Sequence, residues 1–383
     1  MPVRFHACPE LESEPLPEHT FDVERRRRGR RVLLLALLVV LAGLLLVIKL
    51  LPDDPEATGF PMDIEWSGEA GYASLAEGQI VRLRVEGDRV ETDVLASGLK
   101  FPRGIALVGG TLYVAELGAL LCENPVPRCK GENVGPTTAD GERRLLADSS
   151  GRILAYPVTD GGLGEPRVLV DELHYVNTDH GLNDLDLGPD GMLYLSVGNV
   201  DQLAWDDDGS PPEGPDTGHL GTILRIDPAS SEIEVFAEGL RNVYGLTFDA
   251  DGRLWGVDND GRGRGPWRAE ELLHIQEGLD YGFPDDGTVG PYARRTGFAT
   301  WIMPTGAGSS GITVDGDSVI SGACGRVTRV EIAGNGGDAS ENQVRRTGCV
   351  TAIERLPDGR LLLGTVLGGE PFVVIDEEDL FDS

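Results

Sequence analysis

Apolar and polar residues alternate along much of the chain, and short turns containing glycine interrupt the alternation. Five segments share one pattern of apolar strand, Gly-containing turn and second apolar strand. They are residues 102–116, 183–199, 244–259, 310–323 and 351–366, with turn glycines Gly110, Gly191, Gly252, Gly316 and Gly359. Period-two alternation is typical of β-strands, and glycine accepts the positive φ of tight turns. The pattern predicts a repeated unit of paired strands.

Further strand candidates lie between these repeats, at residues 78–85, 151–158, 221–228 and 325–332. Repeats at about the spacing of one blade predict an all-β, six-bladed β-propeller, although five or seven blades also fit. We expect the sixth blade to come from residues 267–300 and from N-terminal strands. An N-terminal strand that closed the ring would remove a bare sheet edge. The one helical signal, residues 268–275, is too short to define a helical layer.

The first 75 residues follow no such pattern. Residues 1–31 are polar and end in an arginine-rich block, so we expect a disordered cytoplasmic tail. Residues 32–51 are apolar except for Lys49 and are long enough to span a bilayer of ~30 Å, which predicts a single N-terminal transmembrane helix. The arginines favour a cytoplasmic N-terminus, leaving a membrane-anchored globular domain in the periplasm or outside the cell. A cleaved signal peptide is the alternative. Residues 52–75 are expected to form a stalk, and residues 76–383 the β-propeller domain.

The chain carries a formal net charge of −31. Nucleic-acid binding depends on neutralising phosphates with cationic side chains, so this charge argues against nucleic acid as a partner. It also argues against a broad contact with anionic membranes outside the anchor.

Four motifs occur in a fixed order along the repeats. The pair Asp179-His180 precedes an apolar strand, and residues 221–228 read Gly-Thr-Ile-Leu-Arg-Ile-Asp-Pro. Residues 239–246 read Gly-Leu-Arg-Asn-Val-Tyr-Gly-Leu, and residues 270–284 end in Asp-Tyr-Gly-Phe-Pro. This ordered set resembles the glucose/sorbosone dehydrogenase family, the six-bladed propellers that include soluble aldose dehydrogenases dependent on pyrroloquinoline quinone.

The resemblance implies a site and a reaction. His180, paired with Asp179, would be the base that takes the hydroxyl proton of a sugar as hydride leaves for the quinone. Arg241 and Asn242 would contact the quinone oxygens, with Arg241 stabilising negative charge there. Tyr281 would line the site, and electrons would pass to a respiratory acceptor. The cofactor's calcium, which requires oxygen ligands, would be bound by Asp258, Asn259, Asp260 and Gly261.

A second function class fits another feature of the sequence. The family holds the quinone's carboxylates with cationic side chains from its last two blades, and the matching positions here are Cys324, Cys349 and Thr351. The alternative is therefore a propeller that has lost the cofactor cradle and binds a glycan or partner protein, or that hydrolyses a lactone or another substrate. In that case His180 would be a structural histidine, and residues 258–260 an ordinary acidic turn.

Four cysteines follow the apolar segment, an even number in an oxidising compartment. Cys122 and Cys129 flank a Pro-rich loop and form the natural first pair, although three pairings are possible and reduced cysteines are an alternative. The resemblance places Cys324 and Cys349 near positions whose side chains converge on one ligand. We therefore predict that these two are bonded at the mouth of the central channel.

Overall fold

A computed structural model of the protein describes residues 59–117, 150–175, 180–199, 218–259, 270–283, 299–303, 310–332, 339–345, 347–366 and 370–382. The chain divides into two compact units, Met1–Pro55 and Glu56–Ser383, and every described residue belongs to the second. The predicted tail and the predicted anchor, residues 1–31 and 32–51, lie outside the described residues. Within the described ranges, no helix has the length and apolar character needed to cross a membrane.

The described strands form six antiparallel sheets in chain order, which are the blades of a propeller. Blade 1 contains β1 (Pro61–Ser67), β2 (Ala70–Leu75), β3 (Gln79–Glu86) and β4 (Arg89–Ser97). Blade 2 contains β5 (Pro102–Val108), β6 (Thr111–Glu116), β7 (Ser150–Thr159), β8 (Gly162–Leu163) and β9 (Arg167–His174). Blade 3 contains β10 (Leu182–Leu187), β11 (Leu193–Val197), β12 (Thr222–Ile226) and β13 (Ile233–Ala237).

The second half of the ring has the same organisation. Blade 4 contains β14 (Val243–Phe248), β15 (Leu254–Asp258), β16 (Glu270–Ile275) and β17 (Ala299–Met303). Blade 5 contains β18 (Ile312–Asp315), β19 (Ser318–Ala323), β20 (Arg326–Ile332) and β21 (Ala339–Arg345). Blade 6 contains β22 (Cys349–Arg355), β23 (Leu361–Val366) and β24 (Phe372–Ile375), followed by the short helix α1 (Glu377–Asp382). The predicted all-β, six-bladed propeller is confirmed.

The first strand of each blade lies innermost. β1, β5, β10, β14, β18 and β22 each contact the first strands of the two neighbouring blades, so these six strands surround a central channel. The five repeats predicted from the sequence are the first two strands of blades 2 to 6, and the four further strand candidates are β3, β7, β12 and β20. The positive φ values of Gly191, Gly252 and Gly359 confirm the predicted role of glycine in the turns between the first two strands.

The first two strands of blade 1 lie within the residues that we expected to form a stalk. Residues 61–75, which fall within the expected stalk of residues 52–75, form β1 and β2 and belong to the propeller. The hairpin closely follows the Pro-Asp-Asp-Pro sequence of residues 52–55, which is typical of a linker, and its first strand carries Asp63 and Glu65. Both side chains line the central channel, so their polarity does not indicate a solvent-exposed linker.

The described residues between 267 and 300 belong to blade 4 and not to a separate blade, and the helical signal was wrong for Glu270–Ile275. Glu270–Ile275 is β16, paired with Leu254–Asp258 on one side and with β17 on the other. A run of good helix formers is only a weak local preference, and the two flanking strands override it. The sixth blade therefore comes from the N-terminal strands alone.

Six apolar clusters form the core, and each lies between two neighbouring blades. The cluster between the last blade and the first contains Ile64, Leu75 and Leu83 of blade 1, and Leu362 and Phe372 of blade 6. Among the described residues, blade 6 has three strands and includes no N-terminal strand, contrary to the expected closure. The described part of the ring is closed by side-chain packing, together with a hydrogen bond of 2.7 Å from the Thr351 hydroxyl to the carbonyl of Pro61.

We predict that Leu362→Ala lowers the free energy of unfolding by about 2–5 kcal/mol, because Leu362 is fully buried in the closing cluster and its truncation leaves a cavity. Val373→Ala, on the neighbouring β24, removes a side chain that is 36% exposed and should change stability by about 0.5 kcal/mol or less. Denaturant unfolding followed by tryptophan fluorescence measures both. Equal effects of the two changes would contradict closure by packing.

Candidate active site

The proposed catalytic and cofactor residues meet at one end of the ring. In an antiparallel pair, the start of the first strand lies beside the end of the second. His180 precedes β10, Arg241 and Asn242 precede β14, and Asp258 ends β15. We call His180, Asn199, Arg241, Asn242, Asp258 and Asn259 the site rim.

The orientation of His180 is set by the main chain of its own blade. The side chain is buried, and its Nδ1 lies 2.5 Å from the carbonyl oxygen of Asn199. A carbonyl only accepts hydrogen bonds, so Nδ1 carries the proton and the ring's lone pair is on Nε2. The N–H of Asn199 in turn donates to the carbonyl of Arg241 at 2.7 Å. The proton-accepting atom of the imidazole is thereby defined by backbone contacts.

Residue 198, which lies against His180 and Asn242, must be a glycine. A Cβ at Gly198 would lie 2.6 Å from the Asn242 side-chain oxygen and 2.7 Å from the Cα of His180. Such a contact is closer than carbon atoms tolerate, so any side chain at residue 198 would move the histidine or the neighbouring blade.

Asp258 organises the Arg-Asn motif. Its two carboxylate oxygens accept the backbone N–H groups of Arg241, at 3.0 Å, and of Asn242, at 2.6 Å. Burial raises the pKa of the Asp258 carboxyl to about 6, while these two hydrogen bonds oppose the rise. The guanidinium of Arg241 donates to the carbonyl of Asn259 at 3.0 Å. A buried carboxyl therefore holds the backbone of Arg241 and Asn242 in place, and the end of blade 4 holds the Arg241 side chain.

Two residues that the sequence analysis did not single out complete this arrangement. The Asn183 side-chain amide donates to the side-chain oxygen of Asn242, at 2.9 Å, and to the carbonyl of Val243, at 3.0 Å. It joins blade 3 to blade 4 directly beneath the rim. The Asn199 carbonyl accepts the hydrogen bond from His180 Nδ1. Asn183 begins and Asn199 ends the predicted repeat of residues 183–199, and this position was the available sequence signal for a role at the rim. Their hydrogen-bond partners are distant in sequence, so the sequence did not reveal them.

Arg103 is a further buried cation that the sequence analysis missed. It belongs to β5, yet its guanidinium lies 5.0 Å from the ring centre of Tyr244 in blade 4 and 5.2 Å from that of Phe101. Blades 2 and 4 are not neighbours, so these side chains meet across the mouth of the channel. A guanidinium on aromatic faces is stabilised there, and it adds positive charge beneath the rim.

Tyr281 directs its hydroxyl away from the rim, and its role in the cofactor site stays a prediction. Its ring belongs to the core between blades 3 and 4. Its hydroxyl donates to the carbonyl of His274 at 2.8 Å and accepts the N–H of Gln276 at 3.1 Å. These partners lie at the end of β16 opposite the rim. A buried tyrosine hydroxyl requires a partner, and here the main chain provides it.

The proposed metal and catalytic residues are only partly described. Asp179, Asp260 and Gly261 lie outside the described residues, as do Cys122 and Cys129. Asp258 and Asn259 are both engaged with Arg241. Among the residues that the structure describes, no three His, Cys, Asp or Glu side chains are arranged to hold a metal ion. The expected calcium site, half of whose predicted ligands lie outside the described residues, stays a prediction.

The predicted bond between Cys324 and Cys349 is confirmed. Their Cα atoms are 3.7 Å apart, and the bond joins the end of β19 to the start of β22, between blades 5 and 6. Both ends lie on the same side of the ring as the site rim. The nearby Arg326 lies 3.7 Å from the buried Glu270 carboxylate, so a cation is present beside the disulfide although the bonded positions are neutral.

Replacing both cysteines, Cys324→Ser with Cys349→Ser, should lower the free energy of unfolding by about 3 kcal/mol, because the bond closes a loop with a sequence separation of 25 in the unfolded chain. Denaturant unfolding of oxidised and reduced protein measures this. The double variant should be insensitive to reductant. A wild-type protein whose stability is unchanged by reductant under denaturing conditions would contradict a stabilising bond.

Comparison with known proteins supports this architecture. The family model described as Glucose / Sorbosone dehydrogenase matches residues 158–298. An oxidoreductase from Thermus thermophilus, described as a glucose dehydrogenase, has a TM-score of 0.60 and 19% identity over 82% of this chain and 96% of its own. The PQQ-bound aldose sugar dehydrogenase of Streptomyces coelicolor gives 0.59 and 20% over 82% and 93%.

A calcium structure of a family AA12 carbohydrate-active enzyme from Trichoderma reesei gives a TM-score of 0.59 and 14% identity, covering 83% of this chain and 93% of that protein. A search of curated protein sequences gives no match. At these identities the structural likeness establishes the fold. The resemblance to the glucose/sorbosone dehydrogenase family is thus confirmed, by the family model over residues 158–298 and by the six-bladed fold over the propeller.

Proposed function

We propose that this protein is a quinoprotein-like oxidoreductase that oxidises an aldose or a related sugar or alcohol, with His180 as the base. The observation that carries the proposal is the hydrogen bond from His180 Nδ1 to the Asn199 carbonyl, which directs basicity to Nε2, while the N–H of Asn199 donates to the carbonyl of Arg241. A base whose tautomer is held in place can accept a hydroxyl proton without first reorienting.

The proton and the electrons leave the substrate separately. The substrate hydroxyl gives its proton to Nε2 of His180, and the hydrogen on the same carbon leaves with both bonding electrons. The carbon then carries a carbonyl group, so an aldose oxidised at its anomeric carbon becomes a lactone. Pyrroloquinoline quinone, when bound, supplies the acceptor for that hydride. The proton on His180 passes afterwards to solvent.

Arginine side chains on the rim side of the ring suit an anionic cofactor. Arg241 and Asn242 would hold the quinone oxygens, and Arg241 would stabilise negative charge developing there. Arg103 at the channel mouth and Arg326 beside the disulfide add positive charge on the same side of the ring. A tricarboxylate is best bound by guanidinium groups, so the chemistry of these residues fits the quinone. No step is assigned to calcium. Asp179 stays a predicted partner of His180.

The alternative function rests on the disulfide. Cys324 and Cys349 occupy positions where the resemblance places cationic side chains, and they are bonded to each other on the rim side of blades 5 and 6. This favours a propeller that has lost the cofactor cradle and that binds a glycan or partner protein, or a lactonase or other hydrolase.

Purified protein mixed with pyrroloquinoline quinone and calcium should bind the quinone, measured by calorimetry, and should reduce an artificial electron-accepting dye with a member of a sugar panel. His180→Ala should retain quinone binding and lose roughly 100-fold or more of the dye-reduction rate, as expected for loss of a general base. The matched control is His174→Ala, on the outer strand β9, which should keep the wild-type rate. A wild type that binds no quinone and reduces no dye contradicts the proposal, and binding to immobilised glycans would then support the alternative.

We also propose that the protein is anchored in a membrane by residues 32–51, with the propeller facing the periplasm or the exterior and passing electrons to a respiratory acceptor. The support is the apolar run after the arginine-rich block. The full chain should sediment with membranes, and protease added outside should degrade the propeller. A chain beginning at Gly59 should stay in the supernatant as the matched control. Recovery of a soluble species that starts near residue 55 would show cleavage in place of anchoring.

A further inference from the structure

Five carboxyl groups converge on the central channel, away from the site rim. Asp63 and Glu65 come from β1, Asp184 and Asp186 from β10, and Glu354 from β22. Together they line a cavity of about 50 Å³, large enough for a few water molecules. None of these residues has a part in the proposed dehydrogenase chemistry.

Most of these carboxyls join one blade to the next. Asp63 accepts the N–H of Ile105 in blade 2 at 2.8 Å, and Asp184 accepts that of Leu246 in blade 4 at 2.6 Å. Asp186 accepts the N–H of Phe248 at 3.1 Å. The inner edge of each first strand faces the channel, where no neighbouring strand can satisfy its N–H groups. The carboxyl oxygens supply those acceptors and thereby connect adjacent blades.

Glu65 and Glu354 complete the cluster. Glu65 accepts a hydrogen bond from the N–H of Leu107, again in the following blade. Glu354 makes no such bond and faces Glu65, Asp184 and Asp186 across the cavity. The Asp63 and Asp184 carboxyls come from blades 1 and 3 and interact across the cavity.

The arginine side chains near the cavity contact groups other than the channel carboxyls. Arg355, adjacent to Glu354, bonds Glu377 at 2.6 Å and lies 3.5 Å from Asp315. Arg103 at the mouth stacks on Tyr244 and Phe101. The other polar residues of the lining are uncharged: Tyr244, Thr247, Ser310 and Thr351. In the part of the chain that the structure describes, these carboxyls do not converge as three ligands of one metal ion.

The neutral form of the carboxyls is therefore favoured. Burial raises the pKa of Glu65 to about 8, that of Asp186 to about 7 and that of Asp184 to about 6. Burial also raises the pKa values of Asp63 and Glu354 well above their usual range, and the neighbouring carboxyls add to both increases. A protonated carboxyl still accepts an N–H through its carbonyl oxygen, so the contacts between blades persist.

We propose that the channel carboxyls form a proton-binding cluster that couples closure of the propeller ring to pH: they hold protons in the folded protein, and the ring loses stability as those protons leave. The unfolded chain exposes the same groups to water, where they ionise near pH 4. Between about pH 4 and pH 8 the folded state therefore binds more protons than the unfolded state, and stability falls as pH rises. Above about pH 8 the dependence should level off.

Infrared spectroscopy of the full-length wild-type protein tests proton occupancy directly. At pH 6 the spectrum should contain the carbonyl stretch of protonated carboxyl groups, which disappears as the pH rises towards 9. Glu65→Gln, Asp186→Asn and Glu354→Gln should each reduce this band. Glu354→Gln removes no hydrogen bond between blades, so it keeps the test open if the others fail to fold. A wild-type spectrum without the band at pH 6 would overturn the proposal.

Thermal unfolding across pH tests the coupling. The wild-type melting temperature should fall on the order of 5 °C or more between pH 5 and pH 8. Each channel variant should flatten this slope. Glu165→Gln and Asp160→Asn remove the same charge at exposed positions and should leave the slope unchanged, which separates the cluster from the repulsion of the whole acidic chain. Equal slopes in channel and surface variants contradict the proposal. Displacement of the infrared band by added calcium at pH 6 would also contradict it, by identifying a cation site.

Discussion

The unpaired inner edge of each first strand is the constraint on which much of the structure depends. Six such strands face one channel, and their N–H groups lie where no further strand can pair with them. Side chains of neighbouring blades provide the acceptors instead. Asp63 and Asp184 do so inside the channel. At the rim, Asp258 accepts the N–H groups of Arg241 and Asn242 within its own blade. Blade-to-blade contact is therefore polar at the axis and apolar in the six clusters farther out.

The same constraint shapes the candidate active site. His180 and Arg241 lie where the first strands begin, and both are oriented by main-chain groups of adjacent strand ends. Such groups move only if the blades move, so the site is rigid to the extent that the ring is. Stability of the ring and geometry of the site are coupled for that reason, even though the channel carboxyls and the histidine are separate groups.

Much of the fold could be predicted from the local pattern of apolar, polar and glycine residues. Period-two alternation and turn glycines identified five of the six inner hairpins, because these residues satisfy the local geometry of a strand and a tight turn. The sixth hairpin was missed because it closely follows the Pro- and Asp-containing residues 52–55 and was assigned with them to a stalk. The motif order also located His180, Arg241 and Asn242 at a common rim, but it could not show that the Tyr281 hydroxyl turns away from it.

The sequence by itself determined the strand repeats and the turn positions, because each depends on a spacing within a blade. The proximity of Cys324 to Cys349, which lie in blades 5 and 6, followed from the family resemblance. Only the tertiary structure decided which polar residues meet across the ring. Asp63 and Glu354 share a cavity although almost the whole propeller separates them in the chain, and Arg103 meets Tyr244 across an intervening blade. Their ionisation and their partners depend on burial and on the neighbouring blades, and these exist only once the ring has closed.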